Sequence, residues 1–148
     1  MKKKIAKLIQ WLKDSNDTPQ KKALGFGVGV FLGVLPATGP LASIFVASFL
    51  RLNRGAALLG SLLTNTWLGV AIFVVSAKVG SFVMGIDWLD AVYHWTIFLQ
   101  NFHLKNLFKV GFLELILPVI LGYFLVSFAI GILAYLAALV FFLRRSRK

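Results

Sequence analysis

The sequence predicts an all-α, polytopic helical membrane protein with a re-entrant helical hairpin and interfacial amphipathic helices. Apolar residues make up 59% of the 148 residues, more than a water-soluble domain of this size carries. Short, glycine-rich apolar runs are interrupted at residues 36–40 and again at 51–54. Lysine and arginine cluster at both ends of the chain, as they do at the cytoplasmic ends of membrane segments. The chain is therefore expected to form one membrane domain over residues 1–148.

The hairpin is predicted over residues 19–50. Thr18 and Pro19 are typical of a helix start, as N-cap and first helical residue. The apolar runs 24–35 and 41–50 are each shorter than the roughly 20 residues that cross a bilayer. A hairpin returns Arg51 and Arg54 to the lysine-rich side, which the positive-inside rule favours. A single proline-kinked span over residues 24–50 is the alternative, and the sequence leaves it open.

The turn of this hairpin is a candidate for contact with water. Non-helical backbone at membrane depth is tolerated where it is buried in protein or lines a water-filled cavity. The candidate residues are four from the turn and one polar residue from the following predicted transmembrane segment: Pro36, Thr38, Gly39, Pro40 and Asn65. We call residues 36–40 the hairpin tip.

Small residues predict two helix-packing faces. Gly25, Gly29 and Gly33 recur every four residues, the spacing at which small side chains let membrane helices approach closely. A second face of this kind comprises Ser127, Gly131 and Tyr135.

The residues at the open end of the hairpin suggest an anionic ligand. Arg51, Asn53 and Arg54 follow its second half within four positions. Arginine presents a planar fork of donors that matches phosphate and carboxylate groups. For any single arginine, a plain positive-inside anchor is the better explanation. The three residues together predict a site for a phosphate or another anionic headgroup at this end, which we call the hairpin mouth.

The remaining segments are assigned from apolar length and charge. They are a basic amphipathic surface helix and turn (1–17), a transmembrane segment (55–84), an interfacial helix (86–107), a short lead-in plus transmembrane segment (108–143) and a basic cytoplasmic tail (144–148). Pro118 is expected to divide the last apolar block. Asp90 and His94 lie four residues apart in the interfacial helix, but a solvated polar stripe explains them without a metal.

One pair of opposite charges is expected near the far membrane face. Glu114 is the only carboxylate within an apolar block, and an intramembrane acid is a functional candidate by default. Lys78 approaches the same face, so a Lys78–Glu114 pair is one hypothesis. A solvated Glu114 at headgroup level is the other.

Composition excludes several classes of function. Cysteine is absent, which rules out disulfides and thiolate metal sites. The net charge of +11 is concentrated at the chain ends and between apolar segments, so anionic lipid headgroups are a simpler partner than nucleic acid. No arrangement of nucleophile and base, paired carboxylates or phosphate loop is visible. We therefore expect no enzyme activity and no cofactor.

A series of short motifs with characteristic order and spacing runs through residues 18–80: Thr18-Pro19, Ala23-Leu24-Gly25-Phe26, Gly33-Val34-Leu35-Pro36 with Gly39, Arg51-Leu52-Asn53, and Asn65. In these motifs the chain resembles a family of small bacterial membrane proteins known as domain of unknown function 2062. The chain departs from the family pattern at Pro40-Leu41, where Gln is common, and at Asn65-Thr66, where Asn-Pro is common. The resemblance implies a bacterial membrane protein. The basic residues at both ends of the chain predict that both termini are cytoplasmic, so we expect a multi-pass protein of the bacterial inner membrane.

Two functions follow from these features. The first is a small transporter-like or lipid-handling protein with the anionic ligand site at the hairpin mouth. The alternative is a non-transporting membrane scaffold or assembly factor that uses its small-residue faces to bind partner helices. Either would work as a homo-oligomer or in a membrane complex, because a chain this short encloses little on its own.

Overall fold

The computed structural model describes residues 17–36, 38–63, 66–100 and 110–146, and all of its regular structure is helical. The helices are α1 (Pro19–Val34), α2 (Gly39–Phe49), α3 (Arg54–Leu63), α4 (Thr66–Met84), α5 (Trp88–Gln100) and α6 (Val110–Ser146). The all-α prediction is confirmed for these residues. Two compact units are present. One contains α1–α3 and α6 from Ser127 onward; the other contains α4, α5 and α6 up to Val126.

Helices α1 and α2 form a hairpin. Thr18 caps α1 as predicted, because its hydroxyl accepts a hydrogen bond from the Lys21 amide at 3.4 Å. The chain leaves helical conformation at Leu35 and resumes it at Gly39. The amide of Asn53 then donates to the carbonyl of Lys21 at 3.4 Å, so the end of the hairpin returns to its beginning. The position of this hairpin in a membrane stays a prediction.

Glycine allows α1 and α3 to touch backbone to backbone. A Cβ added to Gly25 would lie 2.5 Å from the Asn53 carbonyl oxygen, and one added to Gly29 would collide with the Ala57 carbonyl. From the other side, a Cβ on Gly60 would collide with the Phe26 carbonyl. The predicted face thus packs inside the chain at Gly25 and Gly29.

A second face of α1 packs against the C-terminal half of α6. Gly27 lies against Tyr135 and the Gly131 carbonyl. One turn further, the rings of Phe31 and Phe128 meet edge to face with centroids 6.3 Å apart. Ser127 is fully buried. Gly25 and Gly29 of the first predicted face, and Gly131 and Tyr135 of the second, are therefore in contact with helices of the same unit.

In the other unit, α4 and α6 cross at small residues. A Cβ on Gly80 would collide with the Pro118 carbonyl, and a Cβ on Gly122 would collide with the Ser76 carbonyl. Ala77 and Val119 are fully buried at this crossing. Trp95 of α5 and Tyr123 of α6 both pack on Phe73, with ring centroids 6.2 and 6.3 Å away.

The predicted segment 55–84 contains α3, described up to Leu63, and α4, described from Thr66. Thr64 and Asn65 lie outside the described residues, so the continuity of this segment stays a prediction. The division predicted at Pro118 is wrong, because α6 runs from Val110 through this proline. Proline removes one helical hydrogen bond, and close packing of Pro118 against Gly80 supports the helix there.

One helix in the described part of the chain is long and apolar enough to cross a membrane. It is residues Leu117–Arg144 of α6, and only 11% of its most apolar window is buried. A core helix of a water-soluble domain would be mostly buried. The surface helix predicted for 1–17 falls outside the described residues apart from Asp17, and the tail 144–148 does so from residue 147. Helix α5 lies within the predicted interfacial segment 86–107.

Candidate anion-binding site at the hairpin mouth

Asn53 holds the hairpin mouth together. Its side-chain oxygen accepts from the Ala56 amide at 2.8 Å, which is the N-cap bond of α3. Its side-chain nitrogen donates to the Asp17 carboxylate at 2.6 Å. Its backbone amide bonds to Lys21, and its backbone carbonyl accepts from Ala57 at 3.1 Å. The residue is only 3% exposed. Its hydrogen bonds connect the residue before α1, the first turn of α1 and the first turn of α3.

These contacts give Asn53 a structural role in the candidate site. Both polar atoms of its side chain are already bonded within the protein. Of the three residues predicted at the mouth, the two arginines are the ones exposed to a ligand. Asn53 positions them, because it fixes the chain between Arg51 and Arg54.

Arg51 occupies a backbone conformation that favours glycine. Its φ is 54°, in the left-handed region. Helix α2 ends there in a Schellman motif: the Arg51 amide donates to Ser48 at 3.2 Å, and the Leu52 amide donates to Ala47 at 2.8 Å. A residue with a Cβ in this conformation costs roughly 1–2 kcal/mol. The chain therefore keeps an arginine where glycine would be more stable.

The end of α4 shows the same motif with glycine in place of arginine. Gly85 has φ 69° and donates to Phe82 at 3.3 Å, while Ile86 donates to Ser81 at 3.0 Å. Two identical helix ends thus carry different residues at the left-handed position. Ending the helix does not require arginine, so the Arg51 side chain is the feature that needs an explanation.

Arg54 is also placed against a local preference. It is the first residue of α3, and no acidic residue stands in the first turn of that helix. The amino end of a helix carries partial positive charge, which disfavours a cation by roughly 0.3–1 kcal/mol. An anion bound at the mouth would interact favourably with both the guanidinium and the helix end.

The mouth carries an excess of positive charge. Among the described residues, Lys21, Arg51 and Arg54 are exposed at this end of the hairpin, and Lys22, which follows Lys21 in α1, is half-buried. Asp17 is the carboxylate bonded to Asn53. Within the described residues, neither Arg51 nor Arg54 uses its side chain in a hydrogen bond or ion pair. Both guanidinium groups are exposed, and no described residue occupies either of them.

The tip is fixed by hydrogen bonds from Thr38. Its hydroxyl donates to the carbonyl of Leu35 at 3.0 Å and also lies against the Leu32 carbonyl. Gly39 has φ 62°, the left-handed conformation that starts α2. Pro36 and Pro40 are exposed, whereas Asn65 lies outside the described residues. A water-filled cavity at the tip stays a prediction.

The structure gives Lys78 a neighbour other than the predicted one. Its Nζ lies over the indole of Trp88, 5.0 Å from the ring centroid, in a cation–π contact. Glu114 lies within α6, but its side chain is outside the described part of the chain. The Lys78–Glu114 pair stays a prediction.

Sequence reasoning missed the polar contacts that join distant segments. Asp17 looked like part of a polar turn, yet it bonds to Asn53. Ser43 and Ser61 are buried with hydroxyl oxygens 3.2 Å apart, and each is bonded to a backbone carbonyl. Isolated serines in apolar runs gave no signal of this pairing. The asparagine before α3 did carry a signal, since asparagine is a preferred N-cap.

The chain belongs to a bacterial family described as "Uncharacterized protein conserved in bacteria (DUF2062)", which matches residues 2–148. The resemblance found over residues 18–80 is confirmed and extends over almost the whole chain. Searches of curated proteins and of solved structures gave no significant match. The family description assigns no activity.

Proposed function

We propose that this protein is a multi-pass protein of the bacterial inner membrane that binds a phosphate-bearing anion at the hairpin mouth, in a transporter-like or lipid-handling role without enzyme activity. The mouth and both termini lie on the cytoplasmic side, and the α1–α2 hairpin is re-entrant. One observation carries the proposal. Arg51 and Arg54 are each kept where the local backbone disfavours them, with exposed guanidinium groups.

Phosphate suits this arrangement because of its charge and shape. An arginine can donate two parallel hydrogen bonds to a phosphate, and charge-assisted bonds of this kind are about twice as strong as neutral ones. Two arginines separated by a short rigid segment would hold one such group between them. Asn53 supplies the rigidity through its four hydrogen bonds.

Helix lengths and exposure support the membrane placement. Helix α2 has 11 residues, about 16 Å at the helical rise, which is roughly half of a 30 Å hydrocarbon core. This length fits one half of a re-entrant hairpin, which enters one leaflet and returns to the same side of the membrane. The apolar side chains of α6 are exposed along the candidate span, with Phe124, Phe128 and Leu133 at least half exposed. Such a surface needs lipid or another protein over it.

Arg51→Gly is expected to stabilise the protein and weaken anion binding at the same time. Glycine removes the left-handed strain, which raises the free energy of unfolding by roughly 1 kcal/mol. Loss of the guanidinium weakens binding of an anionic probe by about tenfold or more, since a charge-assisted hydrogen bond contributes about 1.5–3 kcal/mol. Thermal unfolding and binding of phosphatidylglycerol by the full chain in neutral detergent measure the two effects.

Gly85→Ala is the matched control for the backbone. A Cβ at Gly85 meets nothing within 4 Å, so this change adds the left-handed strain without a clash. It should destabilise the protein by roughly 1 kcal/mol and leave anion binding unchanged. A stabilised Arg51→Gly protein that binds phosphatidylglycerol as well as the parent would reduce Arg51 to a topological anchor and refute the proposal.

A further inference from the structure

The outer face of α2 is an exposed apolar stripe. Leu41, Phe45 and Phe49 are 84%, 73% and 81% exposed. They lie four residues apart, so they follow one another along the same side of the helix. Among the large apolar residues described in the other two short helices of this unit, only Leu24 of α1 and Leu62 of α3 are exposed. The stripe is thus the hairpin's own apolar surface.

The length of the stripe matches one lipid leaflet. From residue 41 to residue 49 the helix rises about 12 Å, and half of a bilayer's hydrocarbon core is about 15 Å. The stripe begins near the tip and ends at Phe49. Leu50, which is 51% exposed, follows it and directly precedes Arg51. An exposed apolar stripe about as long as one leaflet is therefore followed directly by the positively charged Arg51.

We infer that the ligand of the hairpin mouth is an anionic phospholipid, with its phosphate at Arg51 and Arg54 and an acyl chain along Leu41, Phe45 and Phe49. This inference rests on the proposed function and names its ligand class. A soluble phosphate would use the arginines and leave the stripe without a role. An amphiphile uses both, because its charged headgroup is covalently joined to its acyl chain, and Arg51 follows Phe49 by two residues.

Charge favours a lipid over a second copy of the chain on this stripe. A copy packed side by side in the same orientation would bring its own Arg51 and Arg54 next to these. Four guanidinium groups would then face one another at the membrane surface, which disfavours the pair. An anionic headgroup instead neutralises them.

The test compares two aromatic sites of similar exposure in the purified full chain. In Phe45→Ala/Phe49→Ala the stripe is shortened without introducing a polar group. The control is Phe82→Ala on α4, because Phe82 is 88% exposed and belongs to the other unit. Native mass spectrometry in neutral detergent measures binding of long-chain phosphatidylglycerol, long-chain phosphatidylcholine and glycerol 3-phosphate to each protein and to Arg51→Gly.

The expected result is that the double variant weakens phosphatidylglycerol binding by about tenfold, while Phe82→Ala changes it by less than about twofold. Glycerol 3-phosphate should bind far more weakly than phosphatidylglycerol. Equal binding of phosphatidylglycerol by the double variant and the parent, with binding still lost in Arg51→Gly, would overturn the acyl-chain inference and keep the anion site. If glycerol 3-phosphate binds as tightly as phosphatidylglycerol, the acyl-chain inference is likewise overturned and the anion site is kept.

Two other results separate the remaining explanations. If phosphatidylcholine binds as well as phosphatidylglycerol and Arg51→Gly changes nothing, the proposed anion site itself fails. If Phe45→Cys cross-links efficiently to its counterpart in a second copy within membranes, the stripe is a protein interface, and the acyl-chain inference is overturned.

Discussion

Gly29→Ala is expected to destabilise the folded chain by about 3 kcal/mol or more, near the upper end of what overpacking costs. The added Cβ would lie 2.7 Å from the Ala57 carbonyl carbon and closer still to its oxygen. Both atoms belong to the backbone of α3, so no flexible side chain can move away. The helices would have to separate, and the contacts of Gly25 and Gly60 would open with them.

Gly69→Ala provides the comparison for this change. Gly69 lies within α4, and a Cβ there meets nothing within 4 Å. Alanine is favoured over glycine in a helix by roughly 0.8–1 kcal/mol, so this variant should be slightly more stable than the parent. Thermal unfolding of both proteins in mild detergent gives the contrast. Similar stabilities for the two variants would show that α1 and α3 are not packed backbone to backbone.

Asn53→Ala is the second change with a large expected effect, a loss of about 2–4 kcal/mol. Removal of the N-cap costs about 1 kcal/mol. The Asp17 carboxylate also loses its donor, and a hydrogen bond to a charged group contributes about 1.5–3 kcal/mol. Because Asn53 lies between the two arginines, the loss should reduce anion binding as well as stability. Unfolding and binding measurements on the same preparation test both.

Exchanging the side chains at positions 17 and 53 tests the bond between Asn53 and Asp17 separately from the N-cap bond between Asn53 and Ala56. Asn53→Asp keeps an oxygen for the Ala56 amide but faces the Asp17 carboxylate with another carboxylate. It should destabilise the mouth through charge repulsion. Adding Asp17→Asn restores one amide and one carboxylate in contact, and most of the stability should return. Additive losses in the double variant would mean that Asp17 and Asn53 do not interact.

The breaks and caps of the first unit could be predicted because they depend on local chemistry. Pro36 and Gly39 indicated the break before α2, and Thr18-Pro19 indicated the start of α1. The glycine spacing indicated close helix packing, and it occurs at Gly25 and Gly29. Each of these signals comes from the residue itself or its near neighbours in the sequence, so it can be recognised without knowing which distant segments come into contact.

Features that depend on distant residues could not be predicted. The helix through Pro118 is supported by packing against Gly80, which no local pattern around the proline reveals. The left-handed conformation of Arg51 is equally hidden, since arginine gives no signal for it. The bond between Asp17 and Asn53 joins residues 36 positions apart, and the sequence offers many other pairings.

The measurement that tests the central claim most directly is the sidedness of the hairpin mouth. The chain has no cysteine, so single cysteines can be introduced by Arg54→Cys and Asp90→Cys and labelled with a membrane-impermeant maleimide. Both positions are exposed. We expect Arg54→Cys to react only in inverted membrane vesicles and Asp90→Cys only in intact cells. Reaction of Arg54→Cys in intact cells would show that residues 24–50 cross the membrane as one kinked span, which contradicts a re-entrant hairpin with a cytoplasmic anion site.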